Sequence, residues 1–183
     1  MSGIINATNL EVANIKDSTG TNTAMTVNSN GTMTPSKMVY ASFRTSVNTT
    51  YSAQELITNW EAMPSPSTTL GASMTHSSGI FTFPHTGKFL IRVKFHSTAN
   101  GGNRAYSGGS IQYSSNSGTS YSKLTRTLND QAADGNWSTA FAEALIEITD
   151  VSTQRIAFHV YFNGSTILST DDSGTMCIFQ QVG

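Results

Sequence analysis

The sequence predicts an all-β domain, a sandwich or a barrel, and two observations lead to this class. From Met38 onward, short segments alternate apolar and polar residues with the period of two that marks a strand with one buried face. Between these segments, Gly, Asn and Ser cluster at 101–103, 116–118, 135–136 and 163–165, where they favour turns. Short strands joined by polar turns are typical of antiparallel sandwiches and barrels.

The clearest strand pattern lies in the stretch GIFTFPHTGKFLIRVKF, residues 79–95. Pro84 cannot donate a ladder hydrogen bond and Gly87 eases a turn, so these two residues separate a short strand from a longer one. A hairpin is the simplest arrangement of two such strands. In the longer strand we expect one buried row, which consists of Phe89, Ile91, Val93 and Phe95.

Further strands are predicted at 38–45, 107–115, 120–128, 139–149, 154–162 and 174–182. The segment 139–149 needs a choice, because Phe141, Leu145 and Ile148 also have helical spacing. Its alanines nevertheless alternate strictly with larger or charged residues, and this period of two favours a strand.

One segment, 51–64, is predicted to contain a short helical turn. Ser52 and Glu55 have the spacing of a capping box, the pair of reciprocal side-chain bonds that begins many helices. Leu56, Trp60 and Met63 then recur at helical intervals. A strand is the alternative here, and the helical turn is preferred.

Residues 1–37 are predicted to form an extended, β-rich N-terminal arm or stalk, ahead of a head that spans 38–183. The arm has no aromatic residue and few large aliphatic ones, so it cannot build a core of its own. It is therefore either disordered or ordered by copies of itself or by a partner. Asn30-Gly31 favours a tight hairpin. The residues expected at such a shared seam or attachment surface are Leu10, Val12, Ile15, Met25, Val27 and Met33.

The charge balance argues against several classes of function. The net charge is -1 and only 11% of residues are charged, against roughly 25% in an average domain. Nucleic-acid binding through phosphates requires clustered Lys and Arg, and the cations here are scattered. No apolar run is long enough for a membrane span, and the first residues lack the basic start and apolar centre of a secretory signal. We therefore expect neither nucleic-acid binding nor membrane insertion.

No catalytic residue, metal or cofactor is expected. The sequence has no G-x-S-x-G motif, and its only cysteine, Cys177, lies among apolar residues as a buried free thiol would. The histidines never have the spacing of a zinc motif. The acidic stretch 130–135 is predicted to be a solvated turn, since Ala132 and Phe141 occupy positions where a calcium loop needs oxygen ligands. The stretch 170–174 is predicted to be one too, since the side chains of adjacent Asp171 and Asp172 diverge on an extended backbone.

The order of motifs in residues 38–183 resembles the globular heads of complement component 1q and tumour necrosis factor. Those heads carry a pattern close to G-x-F-x-x-P-x-x-G-x-Y/F-x-F. This chain supplies Gly79, Phe81, Pro84, Gly87 and Phe89 in that order. A strand-turn-strand, an Ala-rich strand and a closing apolar strand follow in the expected sequence. The resemblance implies a jelly roll, an antiparallel β-sandwich that assembles as a homotrimer.

Both ends of the chain also resemble bacteriophage structural proteins. CIFQQVG replaces the aromatic-Ser-Gly-aromatic ending of the family and is similar to the ending of phage heads of this type, while GTNTAMTVNSNGTMTPSK resembles the stalk segment of phage fibres. This implies a non-enzymatic protein of the virion surface, made in the host cytoplasm and attached to other tail or capsid proteins through residues 1–37. A short tail fibre or fibre tip is preferred. A capsid decoration protein is the alternative, and a free-standing carbohydrate-binding module is a further one.

Four aromatic residues in or beside polar turns are candidate contacts with a host-surface glycan or protein. Tyr and Trp combine an apolar ring with one polar group, so they suit a contact that is partly exposed to water. The alternative, which we prefer, is that these rings pack at the trimer seam or cap the barrel ends, because burial stabilises a ring more than exposure does. The four residues are Tyr106, Tyr113, Tyr121 and Trp137.

Overall fold

The computed structural model describes residues 14–16, 23–27, 29–30, 33–35, 38–64, 69–102, 104–131, 135–170 and 174–182. In this part of the chain all regular structure is β, and no helix is present that could cross a membrane. Two compact units are formed, Met1–Met38 and Val39–Gly183, named here the arm unit and the head. The strands are β1 (Asn14–Lys16), β2 (Thr23–Val27), β3 (Met33–Pro35), β4 (Val39–Thr45), β5 (Thr49–Tyr51), β6 (Glu55–Leu56), β7 (Trp60–Ala62), β8 (Leu70–Gly71), β9 (Thr75–Ser77), β10 (Ile80–Thr82), β11 (Gly87–Ala99), β12 (Arg104–Ser114), β13 (Ser122–Gln131), β14 (Trp137–Ile148), β15 (Arg155–Phe162), β16 (Thr166–Leu168) and β17 (Met176–Gln181).

The arm unit contains a three-stranded antiparallel sheet in the order β1-β2-β3. Ile15 is paired with Met25, and Val27 is paired with Met33 across the predicted hairpin, whose loop contains Asn30. Ile15 is exposed, whereas Met25 and Val27 are half-buried. Two of the predicted seam residues, Leu10 and Val12, lie outside the described residues. The attachment role of the arm stays a prediction.

The head consists of two antiparallel sheets. The larger sheet has the order β5-β16-β11-β17-β4-β7, with β14 on the other side of β11 and β8 beside β4. The smaller sheet has the order β13-β12-β15-β10-β9, and β6 also pairs with β15. Large apolar side chains from both sheets form one core. The predicted antiparallel sandwich is therefore confirmed.

Strand β11 lies at the centre of the larger sheet. It is paired with β14 along nearly its whole length and with β17 and β16 on its other side. The predicted inner row is confirmed, because Phe89, Ile91, Val93 and Phe95 are all buried. A Cβ atom at Gly109 of β12 would lie only 2.3 Å from the Phe95 ring. The two sheets approach so closely here that only glycine fits.

The hairpin expected around Pro84 and Gly87 is wrong. Strand β10 pairs with β9 and β15 in the smaller sheet, whereas β11 belongs to the larger sheet. The segment between them therefore crosses from one sheet to the other. Burial explains the crossing, because Phe83 on one side of it and Phe89 on the other both point into the core, with ring centroids 4.7 Å apart.

The helical turn predicted in 51–64 is also wrong, since this segment forms the short strands β6 and β7. The backbone N–H of Ser52 does donate to Glu55 Oε1 at 3.1 Å, which is one half of a capping box. Beyond it, however, the N–H of Ile57 donates to the carbonyl of Phe158 in β15 at 2.9 Å. Bonds to other strands satisfy the backbone, and so no helix begins.

An aromatic cluster fills the centre of the core. The Phe81 ring lies 4.9 Å from the Phe179 ring and 5.1 Å from the Phe43 ring, measured between centroids. Phe158 and Trp60 surround the same ring at 5.5 and 5.8 Å. Because these residues come from strands of both sheets, the cluster holds the two sheets together.

A tight turn after β14 replaces the Gly-Asp turn that is usual in the family resembled. Asp150 Oδ1 accepts hydrogen bonds from the backbone N–H and hydroxyl of Ser152, at 2.8 and 2.6 Å, and Oδ2 accepts one from the hydroxyl of Thr153 at 2.7 Å. The bonds from Ser152, followed by the bond from Thr153, lower the pKa of Asp150 to about 2. The carboxylate thus closes the turn without a glycine.

Replacing Phe89 by alanine should lower the free energy of unfolding by about 3–5 kcal/mol, because it leaves a cavity in a packed core. Urea denaturation measures this loss. Lys88→Ala is the matched control, since Lys88 is exposed on the same strand and its loss should stay within about 0.5 kcal/mol. A Phe89→Ala loss below about 1 kcal/mol would contradict the packing described.

Candidate interface on the outer face of the larger sheet

Large apolar side chains are exposed on the outer face of β14. The inner positions of this strand include the small residues Ala140 and Ala142, whereas Trp137, Phe141 and Leu145 point outward. Phe141 is 70% exposed, Leu145 is 66% exposed and Trp137 is 53% exposed. Several large apolar side chains exposed on one face are typical of a surface that binds another molecule.

Strand pairing extends this row across the sheet. Lys94 lies opposite Phe141 on one side and Met176 on the other. The aliphatic part of the Lys94 side chain therefore adjoins the apolar side chains of Phe141 and Met176. Three cross-strand rows make up what we call the outer face: Phe141–Lys94–Met176–Arg44, Glu143–Arg92–Ile178–Ser42 and Leu145–Leu90–Gln180–Tyr40.

A hollow of about 330 Å³ lies in the middle of the outer face, between β11, β14 and β17. Phe141, Met176 and Ile178 supply its apolar walls. At its rim, Arg92 Nε donates to Glu143 Oε2 at 2.5 Å. Both side chains are exposed, so the pair contributes only about 0–1 kcal/mol to stability. An apolar centre with paired charges beside it is the arrangement found in protein–protein interfaces.

The structure separates the four predicted contact residues. Trp137 belongs to β14 and extends the outer row, and its ring stacks on His96 with centroids 4.7 Å apart and planes inclined by 4°. Tyr106 and Tyr113 lie on β12 of the smaller sheet, and Tyr121 immediately precedes β13. The four residues therefore do not form one site.

The three tyrosines also differ in exposure. Tyr106 is 37% exposed. Tyr113 packs against the core, and its hydroxyl accepts a hydrogen bond from Gln154 Nε2 at 2.7 Å. Tyr121 is half-buried, with its ring 5.9 Å from the ring of His159. Their roles as partner contacts stay predictions.

Within the described residues, no three His, Cys, Asp or Glu side chains come close enough together to hold a metal ion. Burial lowers the pKa of His76, which contacts the rings of Phe43 and Phe81 in the core. His85 lies in the bend after Pro84, where its Nδ1 is 3.1 Å from the carbonyl oxygen of Thr86. The two acidic loops of the sequence fall largely outside the described part of the chain.

Cys177 is a buried free thiol, as predicted. It lies on β17 and is wholly inaccessible to solvent. Burial raises its pKa well above the ordinary value. Because the thiolate is the reactive form, this cysteine is chemically inert in the folded head.

Phe141 and Leu145 are the residues that sequence analysis did not single out as interface residues. A signal for them was present in TAFAEALIEIT, where Phe141, Glu143, Leu145 and Glu147 share one face and the alanines share the other. The two glutamates mark that face as the solvent side, because charged residues are almost never fully buried without a partner. The large apolar residues between them are thereby exposed.

Comparison with known proteins supports the fold. No protein-family model matches the chain, and it has no match among curated protein sequences. Among solved structures, Eiger TNF from S. frugiperda matches with a TM-score of 0.62 at 14% identity, over 80% of this chain and 93% of that one. Murine APRIL matches with a TM-score of 0.59 at 12% identity, over 80% of this chain and 100% of that one. The chain has a tumour-necrosis-factor-like jelly-roll fold.

A likeness at this level of identity describes the arrangement of strands and leaves function open. In the present jelly roll, the strands that carry the outer face are β4, β17, β11 and β14, consecutive members of one sheet. The outer face is therefore a property of the whole sheet rather than of one loop. This makes it the strongest candidate for a functional surface.

The thiol of Cys177 should not react with a thiol reagent such as Ellman's reagent while the protein is folded, because the side chain is buried and its pKa is raised. Absorbance of the released chromophore at pH 8 measures the reaction. The same sample in guanidinium chloride is the control and should react at once with one thiol per chain. Rapid labelling of the native protein would contradict the burial of β17.

Proposed function

We propose that this chain is a non-enzymatic structural protein of a bacteriophage particle, a trimeric jelly roll on the virion surface that is attached through residues 1–37. The observation that carries the proposal is the exposed outer face of the larger sheet. Apolar side chains of that size, beside a hollow, favour association with further copies of the chain. The phage-like segments at the two ends of the sequence support its placement on a virion.

In the proposed trimer, the outer face of one subunit packs against its neighbours around a three-fold axis. Burying a phenylalanine or a leucine contributes roughly 1.5–3 kcal/mol each, and closed symmetry repeats that contribution in every subunit. The hollow between β11, β14 and β17 then receives an apolar side chain of a neighbouring copy. The Arg92–Glu143 pair lies at the edge of that contact.

Phe141→Glu should convert the trimer into monomers, because it places a charge where an apolar side chain is buried between subunits. Sedimentation velocity at micromolar concentration measures the change. Val47→Glu is the matched control, since Val47 is 57% exposed in the head outside the outer face. Circular dichroism should show that both variants stay folded.

Two results of this experiment would contradict a trimer formed through the outer face. One is a stable monomer for the unchanged protein at micromolar concentration. The other is a trimer that survives in Phe141→Glu, which would move the subunit contact away from the outer face.

The arm is proposed to be the attachment device, ordered by the particle and by its sister chains. Fixing the backbone of the arm in one conformation costs roughly 1–2 kcal/mol of conformational entropy per residue. Contacts that are available only on the particle must offset this cost. The strand pairing of Ile15 with Met25 and of Val27 with Met33 supports an arm with a defined fold. A flexible Gly/Ser linker would need no apolar residues at these positions.

Deleting residues 1–34 should leave a soluble trimeric head that no longer joins the particle. The measurement is incorporation of the truncated chain into particles that lack the protein, beside the full chain. A full-length variant with Met25→Asp and Val27→Asp tests the same surface without shortening the chain. Incorporation of the truncated head at the level of the full chain would show that attachment runs through the jelly roll.

A tail fibre or fibre tip is our preferred placement, and a capsid decoration protein is the competing one. The stalk-like sequence of the arm favours the fibre. The copy number per particle separates the two, since a fibre predicts tens of copies or fewer and a decoration protein predicts hundreds. A density map of the intact particle gives both the number and the position.

A free-standing carbohydrate-binding module is the candidate from another class. The exposed Trp137 ring, stacked on His96, is the observation that favours it, because exposed aromatic rings pack against sugars. This function predicts sugar binding by the isolated head and no requirement for residues 1–37. The incorporation experiment therefore distinguishes it from the virion proposal.

A further inference from the structure

The outer face of the smaller sheet carries a second cluster, which is cationic rather than apolar. Lys123 Nζ lies 5.2 Å from the centroid of the Tyr161 ring, and Arg126 Cζ lies 5.4 Å from the same centroid. Both cations belong to the edge strand β13, whereas Tyr161 belongs to β15, on the far side of β12. Two positive charges therefore converge on one aromatic ring.

Strand pairing explains how they meet. Arg126 lies opposite Ser110 of β12, and Ser110 lies opposite His159 of β15. Tyr161 lies opposite Gly108, which has no side chain to separate the ring from β12. Small residues on β12 thus let side chains from both neighbouring strands lie over it.

The other arginines of the head form ion pairs with glutamates or donate hydrogen bonds to carbonyl oxygens. Arg44 and Arg92 are paired with Glu61 and Glu143. Arg155 donates to the carbonyl oxygens of Val151, Gln154 and Ser152 at 2.7–2.8 Å, and Arg104 likewise donates to loop carbonyls. The contacts described for Lys123 and Arg126 are instead with a ring.

Acidic groups are remote from this pair in the described strands of the smaller sheet. Asp130 lies four residues beyond Arg126 on β13, a distance of about 13 Å along an extended strand. Glu55 lies on β6, beyond β15, and accepts a hydrogen bond from the backbone of Ser52. An anion placed between Lys123 and Arg126 is therefore attracted by both charges and relieves their mutual repulsion.

The surface beside the cations is formed by His159 and Tyr121 and is polar and uncharged. Burial lowers the pKa of His159 and raises the pKa of Tyr121, so both rings are neutral near pH 7. Their centroids are 5.9 Å apart. His159 Nε2 and Tyr121 Oη are buried without a hydrogen-bond partner among the described residues. These two rings therefore add no charge beside the two cations.

We propose that Lys123, Arg126 and Tyr161 form a binding site for a carboxylate-bearing saccharide. The carboxylate pairs with the two cations, Arg126 being able to offer it two parallel N–H donors, and the sugar ring lies beside Tyr161, whose ring holds both cations in place. Leu128, which is 40% exposed on the same strand, borders the site.

A saccharide fits this surface better than an acidic protein does. A protein interface needs an apolar centre that is withdrawn from water, and on this head that property belongs to the larger sheet. Beneath the cationic cluster, by contrast, lie the buried polar side chains of Ser110 and Gln112. The site is independent of whether the protein belongs to a phage, because binding is a property of the head itself.

The test is isothermal titration of the full-length protein with two acidic saccharides, trigalacturonate and 3′-sialyllactose, in 0.15 M NaCl. The neutral counterparts are the methyl ester of trigalacturonate and lactose. Triglutamate, a peptide with side-chain carboxylates, represents an acidic protein. We expect at least one acidic saccharide to bind, with its neutral counterpart and triglutamate weaker by about tenfold or more.

Variants locate the binding. The double variant Lys123→Gln/Arg126→Gln should weaken it on the order of tenfold or more, and Tyr161→Ala should also weaken it. Lys88→Gln, which removes one exposed cation from the larger sheet, is the matched control and should bind unchanged. Thermal unfolding and sedimentation of each variant show that fold and assembly are intact.

Three outcomes would overturn the proposal. The first is the absence of binding by both acidic saccharides. The second is equal binding of triglutamate, which would indicate an acidic peptide partner or charge attraction alone. The third is unchanged binding by the double variant in a folded protein, which would place the ligand elsewhere.

Discussion

The head depends on the contact between the inner row of β11 and the smaller sheet. Phe95 packs against Gly109 so closely that a Cβ atom there would lie 2.3 Å from the ring. Because β11 is hydrogen-bonded to β14 on one side and to β17 and β16 on the other, this contact sets the height of most of the larger sheet above the smaller one.

Close packing at β11 also accounts for the apolar outer face. The neighbouring strand β14 turns alanines inward, and its phenylalanine and leucine have no place in the core. The apolar side chains that the core excludes are exposed together on the outer face, where they can bind another molecule. A core of small and large residues and an exposed apolar face are thus two results of the same alternation.

The outer faces of the two sheets differ in chemistry. The larger sheet presents Phe141 and Leu145 beside an exposed ion pair, which suits association between copies. The smaller sheet presents Lys123 and Arg126 beside a tyrosine, which suits a small polar ligand. Because the faces lie on opposite sides of the core, the proposed assembly through the larger sheet would leave the cationic face accessible.

By itself, the sequence determined the all-β class, most strands of the head and the buried row from Phe89 to Phe95, because period-two alternation records which side of a strand meets water. Tertiary structure alone decided which strands pair. Local spacing favoured a hairpin around Pro84 and a helix after Ser52, but hydrogen bonds and burial offered by distant strands overrode both. The candidate sites divide in the same way. The exposure of Phe141 can be predicted from the alternation within its own strand. The convergence of Lys123 and Arg126 on Tyr161 depends on the register of three strands, which no single segment of the sequence contains.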